Sequence, residues 1–469
     1  MINVTLKRRD GSPVGDDAIE VFQGAFAGAS IRPGDTRYEE ARRIWNASID
    51  RHPGLIARCT GTADVAAAVN FARAQDLLVA VRGGGHNVAG RALCDHGIVI
   101  DLSAMRGIHV DPRAQTVRVQ AGALLGDLDR ETHVHGLVVP TGVVPQTGIA
   151  GLTLGGGHGW LTRRLGLTCD SLLSCELVTV QGLILTADRQ TNADLFWALR
   201  GGGGNFGVVT SFLFQAYPIS TVTGGLIVYP RDEATTVLRN FRNFMSEAPD
   251  ELSAAVVLTS LPDGTPAAVL AACYCGDLDR GAKLIDPLRR FATPLLDTIQ
   301  PMPFPAMQKL AAEGLLLDAH NYWKFAQLKA LEGEVIDRLV ERANAAPSPY
   351  SKIAVVGLGG AMARIGHADT AFGPRDAAFN IAIEAQWTDP AHTERNRAWT
   401  RETAEDMKPH ATGGNMPNFL DEEPDDVVRA VWGANYERLV DVKTKYDPTN
   451  FFSVNLNIEP RRRMRRAAS

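Results

Sequence analysis

Apolar and polar positions change rhythm along the chain. Between residues 53 and 218 short apolar runs alternate with glycine-rich turns. In TGTADVAAAVNFARAQ, Thr62 stands as an N-cap, and Val65, Val69 and Ala72 recur at helical spacing, which predicts a helix. The run LLVAV, residues 77–81, predicts a buried strand. Further strands are predicted at 98–103, 116–123 and 138–144, and a hairpin at 177–187 turning on Gln181-Gly182. Helical patterns are few in this region, so the pattern predicts strand-rich α+β and not a regular βαβ alternation.

After Tyr217 helices and hairpins take over. RDEATTVLRNFRNFMSEAP carries Val237, Phe241 and Met245 on one helical face. SAAVVLTSLPDGTPAAVLAACYC reads as a hairpin turning on Pro262-Asp263-Gly264. GEVIDRLVERANAA predicts a helix, and SKIAVVGLGGA and AAFNIAIEAQW two strands. The last piece, 428–458, reads as one helix stopped at Asp447-Pro448 and then an extended tail.

A length of 469 residues suggests two domains or three. The net charge of −5 gives nucleic-acid binding no electrostatic footing. Five arginines crowd residues 461–466, a pattern expected of a solvated terminal tail. No apolar run is long enough for a membrane span, and the N-terminus lacks the apolar core of a signal peptide. Six cysteines fit neither a disulfide scaffold nor a zinc site, Cys273 and Cys275 share one strand face, and Cys169 and Cys175 are too far apart for a CxxC pair. A reduced, cytoplasmic setting is expected.

The candidate chemistry lies in three glycine clusters. VRGGGHN holds Gly83, Gly84 and Gly85 directly after a predicted strand, GIAGLTLGGGHGWLTRRLGL follows, and LFWALRGGGGNFGVVTSF is the third. Glycine loops offer backbone N–H groups to phosphate. No GxGxxG opens a helix and no GKS or GKT follows, which excludes a Rossmann fingerprint and a P-loop. Three such clusters are entropically costly, and a large phosphate-bearing dinucleotide would offset that cost by close contact. A flavin also accounts for the adjacent His86, because neutral imidazole is a nucleophile suited to attachment at the ring methyl.

RGGGHN, GGGHGWLTRRLGL, NADLFWALRGGGGNFGVVT and YDPTNFF together resemble the FAD-linked oxidases of the vanillyl-alcohol oxidase or PCMH type, and within them the berberine-bridge-enzyme-like branch. The resemblance spans about 35–460. It implies a two-part FAD-binding domain at 1–217 with its core at 53–217, a substrate domain at 218–424 with an antiparallel sheet backed by helices, and a C-terminal segment at 425–469 that returns to the FAD domain. It implies FAD held covalently by His86, with Arg82, Gly83, Gly84, Gly85 and Asn87 around the pyrophosphate. Many relatives attach the flavin a second time through a cysteine in G-x-C-P, and here Val144 occupies that place in Gly142-Val143-Val144-Pro145, so attachment at His86 alone is expected. Gly148, Gly151, Gly155, Gly156 and Gly157 match the loop packed on the flavin, with His158 beside it as a structural histidine. Asn205, Gly207 and Val208 match the adenine side. Asn455 and Asn457 match the C-terminal strand returning to the ring.

Hydride transfer to a flavin needs a base for the substrate proton and little else from the protein. In FNIAIEAQW, Asn380, Ala382, Glu384 and Gln386 alternate onto one face, which makes Glu384 the candidate base. Tyr322 and Lys324 share a face of NYWKFAQL and are companion candidates, whereas Tyr436 reads as packing. The expected function is oxidation of a small alcohol, amine or sugar-like molecule, with molecular oxygen taking the electrons and no membrane or nucleic-acid partner. Two alternatives stand beside it: an oxygenating enzyme of secondary-metabolite biosynthesis, as in enterocin-type members that look singly attached, and a flavin-holding or partner-binding protein without turnover.

Overall fold

A computed structural model describes residues 4–461, apart from 311, 313–315, 317, 374 and 422. The first half forms two sheets. β1 (Ala29–Ile31), β2 (Leu55–Arg58), β3 (Val79–Arg82) and β4 (Ile98–Asp101) make a four-stranded sheet in the order β1-β2-β4-β3, with β2, β4 and β3 parallel. The helix Thr62–Ala74 fills the crossover from β2 to β3 and buries Val65, Val69 and Ala72. Its cap position is Gly61, not Thr62, whose hydroxyl donates to Glu176 Oε1 at 2.9 Å. β5 (Ile108–Asp111), β6 (Thr116–Gln120), β7 (Leu172–Val178), β8 (Ile184–Asp188) and β9 (Val208–Gln215) make an antiparallel sheet ordered β5-β6-β9-β7-β8.

The expected strand at 138–144 does not form. Its one ladder contact is an isolated bridge between Val138 and Tyr217. The segment is held from elsewhere: Gln308 Nε2 donates to Gly142 O at 2.8 Å. Without a neighbouring strand, Val138 and Val139 bury in the core while Val143 and Val144 line a cavity.

The second half is built on one eight-stranded antiparallel sheet. Its strands are β10 (Thr221–Pro230), β11 (Leu252–Ser260), β12 (Pro266–Tyr274), β13 (Leu296–Asp297), β14 (Gln300–Pro303), β15 (His320–Leu328), β16 (Lys352–Gly357) and β17 (Phe379–Trp387). The order is β13-β10-β12-β11-β16-β17-β15, with β14 also on β10. The helices Ala234–Met245, Gly333–Asn344 and Thr393–Met407 back one face, and Val237, Phe241, Ile336, Leu339 and Trp399 join that core. Pro262, Asp263 and Gly264 turn β11 into β12, with Gly264 at φ +86°.

The C-terminal run is two helices, Asp425–Trp432 and Tyr436–Tyr446, not one. Gly433 at φ +50° ends the first, a conformation that a continuous helix excludes. Trp432, Leu439, Phe452 and Ile458 bury in the same core as the first half. Arg461 pairs with Asp441 and Glu437, while the rest of the terminal arginine run lies outside the described residues. The six cysteines are buried free thiols, and among the described residues no helix is long and apolar enough to cross a membrane.

Candidate active site

A cavity of about 1180 Å³ lies between the glycine loops and the unbacked face of the eight-stranded sheet. β3 delivers the first loop to its edge. Gly83, Gly84, Gly85, His86 and Asn87 line it, while Arg82 turns away and donates to Ala41 O at 2.5 Å. Gly148, Gly151 and Gly155 line it from the helix Ile149–Leu154, and Gly207, Val208 and Asn455 line it too. Gly156, Gly157, Asn205 and Asn457 stand behind this lining.

The glycines divide by what a side chain would meet. A Cβ on Gly84 would sit 2.4 Å from Gly148 N, so these two are glycine because two loops cross in contact. A Cβ on Gly156 would strike Phe372 at 2.5 Å. By contrast Gly151 and Gly204 meet nothing within 4 Å, and both line the cavity. Their backbones are open to a ligand.

His86 carries the second mark of a missing partner. Its Nε2 is buried and has no hydrogen bond, and burial pushes its pKa down to about 4, so the ring is neutral near pH 7. Trp45 stacks on it at 4.4 Å and 13° and in turn meets Trp323 at 4.9 Å. Asn455 lines the cavity with Oδ1 buried and unpartnered, while its Nδ2 donates to Gly204 O at 3.3 Å and Phe452 O at 3.0 Å. A neutral imidazole, glycine-lined loops and orphaned acceptors around one cavity fit a dinucleotide such as FAD. Among the described residues lining the cavity Val143 and Val144 occur and no cysteine does.

Asn205 is wholly buried and serves the frame. Its Nδ2 donates to Gly202 O and Leu456 O, and its Oδ1 accepts from Ile458 N. The tail and the third glycine loop are thereby sewn together. Lys443 completes the seam, donating to Asn205 O, Phe452 O and Asp447.

On the sheet side Glu384 lines the cavity with Asn380 and Ala382, but Gln386 turns to Asn321 at 3.1 Å. Tyr322 and Lys324 lie on the opposite face of β15: Tyr322 joins the helix-backed core, and Lys324 pairs with Glu423. Their neighbours Trp323 and Phe325 face the cavity instead. Glu384 is ion-paired with Lys352 of β16 at 3.0 Å, and both line the cavity. Lys352, the lone charge in SKIAVVG, escaped the sequence reading although a charge in an apolar strand is the available signal. Asn418 escaped it too. It ties the segment beside β15 to the second glycine loop, donating to Gly151 O and Leu152 O and accepting from Gly157 N. His158 lines the cavity, and burial holds its pKa down at about 4. Tyr436 packs against Trp432 at 6.1 Å.

Comparison with known proteins points to the same cofactor. An FAD binding domain family matches residues 53–188, and a berberine and berberine-like family matches 417–459. An FAD-linked oxidoreductase of Dictyostelium discoideum is 33% identical over 448 residues, covering 94% of this chain and 97% of that protein. (R)-6-hydroxynicotine oxidase of Paenarthrobacter nicotinovorans is 32% identical, covering 93% and 97%. The crystal structure of 6-hydroxy-D-nicotine oxidase from Arthrobacter nicotinovorans superposes with a TM-score of 0.87 at 29% identity, covering 93% of this chain and 98% of that one.

Proposed function

This chain belongs to the berberine-like FAD-linked oxidoreductases, and on that premise we propose that it is an oxidase whose FAD is covalently bound through His86 alone. The observation that carries the reading is the neutral, unpartnered His86 imidazole at the edge of a glycine-lined cavity. Bound FAD supplies a two-electron acceptor that molecular oxygen restores with release of hydrogen peroxide.

The chain's own residues do the rest. Bare backbone at Gly151 and Gly204 admits the cofactor's phosphates and ring to close contact. Trp45 holds the His86 ring in one plane. Glu384 takes the proton of the reacting hydroxyl or amine, and Lys352 Nζ, 3.0 Å away, orients its carboxylate. Tyr322 and Lys324, on the far face of β15, stand outside the cavity lining and take no part in the proton transfer.

Acid precipitation followed by peptide mass analysis tests attachment. A yellow pellet with the mass of FAD on the His86 peptide alone is expected, and a colourless pellet overturns the covalent link. Peroxide release in proportion to substrate consumed tests the oxidase assignment, and product carrying an oxygen atom from labelled O₂ overturns it.

A further inference from the structure

The sheet that floors the cavity presents its cavity-facing residues in three cross-strand rows. The middle row is Val269, Val257, Ala354, Ala382 and Phe325, in register across β12, β11, β16, β17 and β15. All five line the cavity and none carries a polar side chain. At ordinary strand spacing this band is about 19 Å wide. Small residues at Ala354 and Ala382 keep its centre flat. On one side of it runs the row Leu226, Ala271, Ala255 and Val356, ending at Asn380. On the other runs Lys352, Glu384 and Trp323. Trp323, Phe325 and Phe419 stand together at one end, with Phe325 and Phe419 stacked at 4.4 Å and 12°.

We infer that the substrate is a flat, largely apolar aromatic molecule bearing one hydroxyl or amine, and that an oligosaccharide is not accepted. This rests on the oxidoreductase reading above. The apolar body lies on the middle row with an edge against Phe325 and Trp323, and the single proton-bearing group lies on Glu384, the next position along β17 on that face. A sugar chain carries hydroxyls on every ring. On the middle row those hydroxyls lose water and find no side-chain partner, and each one stranded lowers affinity by roughly tenfold. Away from Lys352, Glu384 and Asn380, the polar side chains on the sheet side stand at its margins: Ser253 at the start of β11, Tyr350 just before β16, and Thr259, Ser260 and Asp263 at the β11–β12 turn and its approach.

The test uses the purified holoenzyme, with its FAD content measured first. 2-Naphthylmethanol and cellobiose are each titrated anaerobically, following tryptophan fluorescence and the flavin absorption band. Naphthylmethanol is expected to bind at least tenfold more tightly. Equal or tighter binding of cellobiose overturns the inference, as does the absence of any response to naphthylmethanol. Ala354→Leu is expected to weaken naphthylmethanol at least tenfold with FAD content unchanged. Should that variant not fold, Phe325→Ala is expected to weaken it at least fivefold, and unchanged affinity in a folded variant counts against the inference. A protein that takes up no FAD refutes the oxidoreductase reading instead, whereas one that holds FAD and prefers cellobiose refutes only the substrate class.

Discussion

Lys443 sits where the C-terminal helix, the turn after it and the third glycine loop converge, and its replacement by methionine measures how firmly the cofactor end of the cavity is framed. The ammonium is wholly buried and uses all three of its protons: on Asp447 Oδ2 at 2.6 Å, Asn205 O at 2.8 Å and Phe452 O at 3.0 Å. Burial pushes its pKa below the ordinary lysine value, opposed by the carboxylate beside it. Methionine keeps most of the stem and strands Asp447 as a buried charge. Removing one partner of such a pair costs roughly 3–5 kcal/mol. Asp447 still accepts from Phe451 N at 2.8 Å and Phe452 N at 2.9 Å, which places this case at the lower end, about 3 kcal/mol. Asn205 O is left without this donor and adds about 1 kcal/mol, while Phe452 O keeps the Asn455 Nδ2 donor at 3.0 Å. Lys443→Met is therefore expected to lose about 4 kcal/mol in urea unfolding at pH 7. Adding Asp447→Asn removes the stranded charge and is expected to recover about 2 kcal/mol. A double variant whose loss equals the sum of the two single losses would falsify the coupling argued here, and so would a single-variant loss below about 1 kcal/mol.

Three further outcomes are expected. Glu384→Gln keeps the side chain's shape but cannot take a proton, so anaerobic bleaching of the flavin by substrate is expected to slow by roughly 10²–10⁴-fold at unchanged FAD content; an unaltered rate removes Glu384 as the base. Trp45→Ala deletes a ring contact worth about 1 kcal/mol, so acid-stable flavin is expected to form about fivefold more slowly on adding FAD to apoprotein, with Trp45→Phe restoring the rate; equal rates in all three proteins exclude the orienting role. Burial behind Gly142 pushes the Asp129 carboxyl up to about 7, and Gln308 Nε2 reaches it at 3.3 Å. The folded carboxyl keeps a proton that the unfolded one has lost, so its contribution is full below about pH 4 and disappears as pH rises to about 7. Relative to Asp129→Asn, which does not titrate, the wild type is expected to lose about 4 kcal/mol across that window and nothing above it. A stability gap that stays constant from pH 4 to 7 contradicts the burial argument.

Elements whose contacts are local were legible. The 62–74 helix, the 177–187 hairpin and the β11–β12 hairpin follow from spacing and turn residues within one stretch. Segment 138–144 was not legible, because what decides it is Gln308, more than 160 residues away. The glycine clusters announced a ligand, but their sequence cannot separate Gly84 and Gly148, which face each other, from Gly151 and Gly204, which face the cavity. That division depends on how distant loops cross.

The sheet poses a subtler problem. Alternation shows that Tyr322 and Lys324 point one way and Trp323 and Phe325 the other, but not which way the cavity lies. Hydropathy usually answers by making one face polar. Here both faces are apolar, one because helices pack on it and the other because it floors the cavity. Glu384 in FNIAIEAQW and Lys352 in SKIAVVG are charges on the open face, paired at 3.0 Å, whereas Lys324 of β15 reaches the other face and finds Glu423 there, so a charge alone does not tell the two faces apart. The same lack of alternation that hides the face from sequence is what makes the floor hostile to a hydroxylated ligand. Substrate choice and legibility thus have one physical cause.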